Sequence, residues 1–159
     1  MSRHAPTEIS LNGAPFSIGI VAARYNSVLA DALLQNVVAE LTAAGVQAKR
    51  IRTVRVPGSH EVPWAAQALA RKQFDCVIAL GVLIGGDTNH HEMVGTSVSH
   101  ALQQVALATR TPVINGVIVT DNLKQAEARC RGRINRGAEF ARAALEMAAL
   151  HRRLGKGKS

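Results

Sequence analysis

Residues 75–84, DCVIALGVLI, are apolar at almost every position rather than at every second one. A strand with one wet face alternates apolar and polar residues, so a run without alternation is covered on both faces. The run is also far too short to cross a membrane, which takes about 20 apolar residues. FSIGIVAA (16–23) has the same even character, and PVINGVIV (112–119) reads as a further strand. AKRIRTVRV (48–56) instead alternates charged and apolar residues, as an outer strand with a wetter face does.

Between these runs the apolar spacing is helical. NSVLADALLQNVVAELTAAG (26–45) has Asn26 or Ser27 as expected N-cap and Gly45 as the expected residue past its end. PGSHEVPWAAQALARK (57–72) is a turn that leads into an amphipathic helix. A helix follows from about Glu92 to Thr109, and DNLKQAEARC and GAEFARAALEMAALHRR close the chain. Alternating strand and helix predicts a three-layer α/β/α sandwich around four mainly parallel strands with right-handed crossovers. The boundaries are a polar segment over 1–15, one domain over 16–153, and a basic, disordered tail over 154–159.

Charge then bears on partners. The chain of 159 residues carries a formal +8, which raises nucleic acid as a ligand. Much of that charge is local, in Arg129, Arg131, Arg133 and Arg136 and in HRRLGKGKS, which reads as a solvated tail. Aromatic residues are 3% of the chain, too few to build stacking platforms, so no nucleic-acid partner is expected. Met1 to Pro15 has no continuous apolar stretch and no other run suits a membrane span. Cys76 and Cys130 have neither zinc nor redox spacing, and a cytoplasmic location without membrane partners is the simplest expectation.

In a parallel sheet, ligands sit at the carboxyl ends of the strands. The segments there are RYN, VPGSHE, GGDTNHHE and TDN. Gly85 and Gly86 allow positive φ and close backbone approach, just ahead of a helix whose free amides suit an anion. Thr88 adds a hydroxyl donor, and Asp87, awkward beside an anion, is expected to turn back and cap the helix. His90 and His91 project in different directions, which disfavours a shared metal, and no third ligand stands at recognisable spacing. A single histidine beside an anion site suits proton transfer. Arg129 carries a fork able to grip phosphate, Ser59, His60 and Glu61 can meet a polyhydroxy chain, and Tyr25 can stack on a flat ring. Each of these also fits an ordinary turn, cap or core residue.

Taken together, ARYN, VPGSHEVP, LGVLIGGDTNHHEMV, TPVINGVIVTDNLKQAEAR and RGAEFARAALEMAAL resemble the lumazine synthase family, in its order and near its spacing from about Phe16 to Leu150. The resemblance implies a flavodoxin-like sheet. It also implies condensation of 5-amino-6-(D-ribitylamino)uracil with 3,4-dihydroxy-2-butanone 4-phosphate, with no metal and no cofactor. By resemblance His90 is the general acid/base. Tyr25 stacks on the pyrimidine, Ser59, His60 and Glu61 hold the ribityl chain, and Val82, Leu83 and Ile84 offer backbone contacts. Gly86, Asp87, Thr88 and Arg129 bind phosphate, and Asn115 closes the site from a neighbouring subunit. A homo-oligomer built from pentamers is implied, some members forming hollow shells, with riboflavin synthase as a candidate partner.

His60 and His91 stand where aromatics are common, Gly85 where arginine is, and Asn115 where a bulky apolar residue is. CRGRINRG is about one residue short of the usual loop. A non-catalytic lumazine- or flavin-binding paralogue is therefore the alternative expectation, ahead of a generic flavodoxin-like nucleotide-binding module.

Overall fold

The computed structural model describes residues 4–155. The first three positions of the polar segment and the last four of the basic tail lie outside the described residues. The elements are β1 (Ile18–Ala23), α1 (Ser27–Ala43), β2 (Ile51–Val56), α2 (Val62–Ala70) and β3 (Cys76–Ile84), then α3 (His90–Thr109), β4 (Val113–Thr120), α4 (Leu123–Cys130) and α5 (Arg136–Gly155). All strand pairs are parallel, in the order β2-β1-β3-β4.

The even apolarity of β1 and β3 has a direct cause. Successive side chains point to opposite faces of a strand, and both faces here are covered. Ile18, Ile20 and Ala22 of β1, with Cys76, Ile78, Leu80 and Val82 of β3, pack under α1 and α5. The intervening Val21, Ala23, Val77 and Ala79 pack under α2 and α3. β2 is an outer strand, and its residues Ile51–Arg55 are only partly buried or exposed, as its charge alternation predicts. Among the described residues no helix is long and apolar enough to cross a membrane.

Two local expectations change. Asn26 precedes α1 in a left-handed conformation (φ 56°), but its side chain makes no cap. Its amide Nδ2 instead donates to the Val82 carbonyl oxygen at 2.8 Å, tying the end of β1 to the end of β3. Gly45, by contrast, has φ 103° just past α1, as expected. The alanine-rich face of α5 is used inside the chain. Ala138, Ala141, Ala144 and Ala148 are buried in the core that α5 shares with α1. Small side chains let the two helices approach, and a Cβ at Gly137 would lie 2.9 Å from the Leu33 carbonyl oxygen.

The last difference is at the C-terminal end. α5 runs to Gly155, so His151 to Leu154 are helical rather than part of a solvated tail. Arg152 Nε donates to Asp75 Oδ1 at 2.7 Å, and His151 Nδ1 lies 2.9 Å from the Asp75 carbonyl oxygen. The basic end is thus tied to the segment ahead of β3.

Candidate active site

The strand order fixes where a crevice opens. From β1 the chain moves outward to β2 and then back across to β3. The loops after β1 and β3 therefore diverge at their carboxyl ends, which is a topological switch point. A cleft of about 520 Å³ lies there.

Each wall comes from a different turn. Tyr25, just after β1, is 72% exposed and rests one ring edge against Gly58, so a ring face is open to the cleft. Its amide donates to the Pro57 carbonyl oxygen at 3.1 Å, holding the loop beside the next turn. That turn, Ser59–Glu61, is a single 3-10 turn. Ser59 is 4% exposed and forms the floor, while His60 and Glu61 stand at the rim. Glu61 Oε2 accepts from the Gly58 amide at 2.9 Å, which fixes the carboxylate and leaves its other oxygen for a ligand. Val82, Leu83 and Ile84 line the wall where β3 ends.

Beyond β3 the chain bends through Gly85 and Gly86 into α3. Neither glycine has positive φ, contrary to expectation; Gly45 is the described glycine that does. Gly85 meets the other half of the expectation, close backbone approach. A Cβ there would lie 2.5 Å from the Asp121 carbonyl oxygen, and its amide donates to Thr120 at 2.7 Å. Gly86 faces open space, and with Thr88 and His90 it completes the cleft.

Asn89, not Asp87, is the N-cap of α3, and no side chain caps that end. The amides of His90 and His91 are thus left for a ligand, at the positive end of a 20-residue helix, while that of Glu92 donates to the Asn89 carbonyl oxygen at 3.1 Å. Asp87 is exposed and outside the lining, so the expected cap is not made.

Two more expected site residues lie elsewhere. Arg129, on the last turn of α4, donates from Nη1 to the Gln125 carbonyl oxygen at 3.0 Å. Asn115 is exposed on β4, its Oδ1 accepting from the Val117 amide at 3.1 Å. It lines a separate groove with Gly95, Thr96 and Ser99 of α3. Tyr25, Ser59, His60, Glu61, Val82, Leu83, Ile84, Gly86, Thr88 and His90 are brought together; Asp87, Arg129 and Asn115 are not.

Four residues of the cleft went unassigned in the sequence: Gly58, Val94, Asn26 and His91. Asn26 lines it, and its strand-end position was the available signal. His91 lines it too, with both ring nitrogens buried and without a hydrogen-bond partner among the described residues. The nearest opposite charge is Asp121, 3.9 Å from Nε2. One ligand atom each of His91, Glu92 and Asp121 falls within 4.8 Å of the others, but both carboxylates are exposed, and surface acids group this way without an ion.

An unpaired buried polar group costs about 1–3 kcal/mol. His91→Phe keeps a ring of similar size and is expected to raise stability by about 1 kcal/mol, read as a higher midpoint in thermal or urea unfolding. An unchanged or lower midpoint would show that the ring nitrogens have partners in solution.

Burial pushes the Cys76 thiol up, and pushes Cys130 up to about 11 although neighbouring Arg129 pulls it down. Both stay neutral thiols near pH 7 and neither lines the cleft, so thiolate catalysis has no candidate among them.

Fold and cleft define a three-layer α/β protein of the kind that holds a small organic ligand at the switch point of a parallel sheet. Residues 15–152 match the family model described as 6,7-dimethyl-8-ribityllumazine synthase. A protein of that name from Polaromonas sp. (strain JS666 / ATCC BAA-500) is 45% identical over 141 residues, 88% of this chain and 90% of the relative. One from Paracidovorax citrulli is 46% identical over the same shares, and one from Coxiella burnetii 43% identical over 85% and 91%. The chain belongs to the 6,7-dimethyl-8-ribityllumazine synthase family.

Proposed function

We propose that residues 16–153 form one catalytic domain, which condenses 5-amino-6-(D-ribitylamino)uracil with 3,4-dihydroxy-2-butanone 4-phosphate in riboflavin biosynthesis. The observation that carries this reading is the convergence of three separate segments on one cleft. Tyr25, Ser59–Glu61 and the stretch from Val82 to His90 meet at the switch point with an open helix end beside them.

The chemistry needs placement more than a nucleophile. The 5-amino nitrogen adds to the butanone carbonyl and loses water to give a Schiff base, phosphate leaves, and ring closure expels water again. The open face of Tyr25 takes the pyrimidine ring, and the carbonyl and amide edges of Val82–Ile84 set its register. Ser59, His60 and the free oxygen of Glu61 take the ribityl hydroxyls. The α3 amides, Gly86, Thr88 and Arg129 hold the phosphate and stabilise it as it departs. Asp87, exposed and outside the lining, serves the loop rather than the anion.

Asn115 and Arg129 lie outside the cleft of their own chain, which supports their coming from the next subunit of a ring. Exposed apolar side chains suit such a ring: Trp64 is 78% and Leu107 77% exposed, with Val119 beside Asn115 on the free edge of β4. Large exposed apolar residues in number mark association surfaces. The ring is a homopentamer, acting in the cytoplasm on small-molecule substrates, with riboflavin synthase as the partner that uses the product.

The primary test mixes the two substrates with the protein and follows lumazine absorbance and fluorescence. Saturable binding of the pyrimidine without turnover would establish a carrier in place of an enzyme. The phosphate grip has its own test. Arg129→Ala is expected to weaken the butanone phosphate by about 10- to 100-fold, because charged hydrogen bonds are worth about 1.5–3 kcal/mol, and to leave the pyrimidine nearly unaffected. Arg129→Lys restores part of the loss, returning charge without the fork. Equal losses for both ligands in calorimetry would remove Arg129 from the phosphate site.

A further inference from the structure

The opposite end of the sheet, where the strands begin, holds a larger cavity of about 840 Å³. Its walls are Ser17 ahead of β1, Asp75 ahead of β3 and Thr111 ahead of β4, with the last turns of α2, α3 and α5 around them. Five permanently cationic side chains line it: Arg50, Arg71, Lys72, Arg110 and Arg152. Asp75 is its one carboxylate.

Cations often collect where helices end, because each carboxyl end carries about half a negative charge. That accounts for part of the cluster. Three helix ends and Asp75 together offset about half of the five charges, leaving an excess of roughly two. The committed cations are identifiable. Arg152 donates to Asp75 and from Nη2 to the Pro15 carbonyl oxygen at 2.6 Å, and Arg50 donates to that same carbonyl at 3.2 Å. Arg71, Lys72 and Arg110 form no ion pair among the described residues.

Arg110 adds an independent observation. It ends α3 at φ 58°, in the left-handed region that favours glycine. Side-chain bonds flank it. Thr109 Oγ1 donates to the Val105 carbonyl at 2.6 Å, and Thr111 Oγ1 donates to the Ala70 carbonyl at 2.9 Å, linking the ends of α3 and α2. A guanidinium therefore stands at a backbone position where glycine would be cheaper, on an anchored turn facing a cavity.

We propose that this cavity binds a compact, multiply charged phosphate anion, of the class of di- and triphosphates. Its walls are polar and basic; Phe74 is half-buried against the core and the His151 ring is held at the Asp75 carbonyl oxygen, 2.9 Å from Nδ1, so no aromatic platform of the kind that stacks bases is built there. A short phosphate chain meets the unpaired charges of Arg71, Lys72 and Arg110 without such a platform. The site is at the opposite pole from the cleft and does not depend on the proposed reaction.

Titration calorimetry with inorganic tripolyphosphate tests it on the whole protein. Wild type binds, and affinity falls as salt rises from roughly 50 to 300 mM. The Arg71→Ala/Lys72→Ala double variant loses at least tenfold in affinity and keeps wild-type turnover with the two substrates. Arg110→Gly also loses affinity, while its unfolding midpoint holds or rises because the left-handed turn suits glycine; that separates lost binding from lost folding. Arg129→Ala leaves tripolyphosphate affinity unchanged. Absence of binding to wild type, equal affinity in the double variant, or loss in Arg129→Ala, which would place the anion at the catalytic pole, each overturns the proposal.

Discussion

His90→Ala is expected to lower turnover by about 100-fold or more while dissociation constants for both substrates stay near wild type. The expectation follows from position. His90 is the first residue of α3, exposed, and a wall of the cleft opposite Tyr25 and the Ser59–Glu61 turn. No side chain caps that helix end, so the imidazole stands at the phosphate loop with its ring free to meet substrate. Schiff-base formation, phosphate departure and ring closure each move a proton, and imidazole both takes and gives one near neutral pH. His90→Gln sharpens the test, since it returns a hydrogen-bonding side chain without proton transfer. Both variants should lose comparable turnover in the lumazine fluorescence assay. If His90→Gln were as active as wild type, the histidine would be a positioning group and the proton would travel elsewhere.

The same region shows what a sequence can and cannot report. The absence of alternation in β1 and β3 is a direct consequence of two covered faces, so sheet and layers were legible, and with them the edge at which loops converge. Periodicity says that a face is buried, not against what. The alanines of α5 mark a face suited to close packing, and nothing in their spacing names α1 as the helix they meet. A residue type has several uses for one atom set. Asn26 was read as a cap because asparagine caps helices, yet its amide reaches Val82 from 56 positions away, a partner no local pattern reveals. Gly85 offers both freedom of φ and close approach; only the second is used, and its partner Asp121 is set by the register of β3 and β4. His91 follows the same logic: its place where the family commonly has an aromatic is legible in the sequence, but its buried, unmatched nitrogens depend on packing.

Two impaired variants should restore each other. If His90 and Arg129 meet only across a subunit boundary, His90→Ala and Arg129→Ala chains refolded together in equal amounts regain about a quarter of wild-type turnover at butanone phosphate well below the KM of Arg129→Ala, from sites where an intact His90 meets an intact Arg129 in a symmetric ring. Either variant refolded alone stays at its own low rate under that condition. The cleft of a single chain contains neither Arg129 nor Asn115, and the free edge of β4 carries Asn115 and Val119 where another chain can approach. Light scattering on the same samples should give a ring of five as the smallest species. An active monomer would sink the shared site, and a ring of five without recovered activity would place Arg129 in its own chain's cleft. The CRGRINRG loop bears on anything larger. Arg131 pairs with Glu127 at 3.1 Å and Arg136 with Glu139, which leaves Arg133 as the loop arginine without an ion pair among the described residues. Like-charge crowding where rings meet is thus smaller than the bare sequence suggests, yet exposed charge is still screened by salt. The expected mass is a pentamer or a pair of pentamers, and any larger particle should change its population between low and high salt; a salt-insensitive shell of 60 subunits, the size set by twelve rings of five, would refute this reading of the loop.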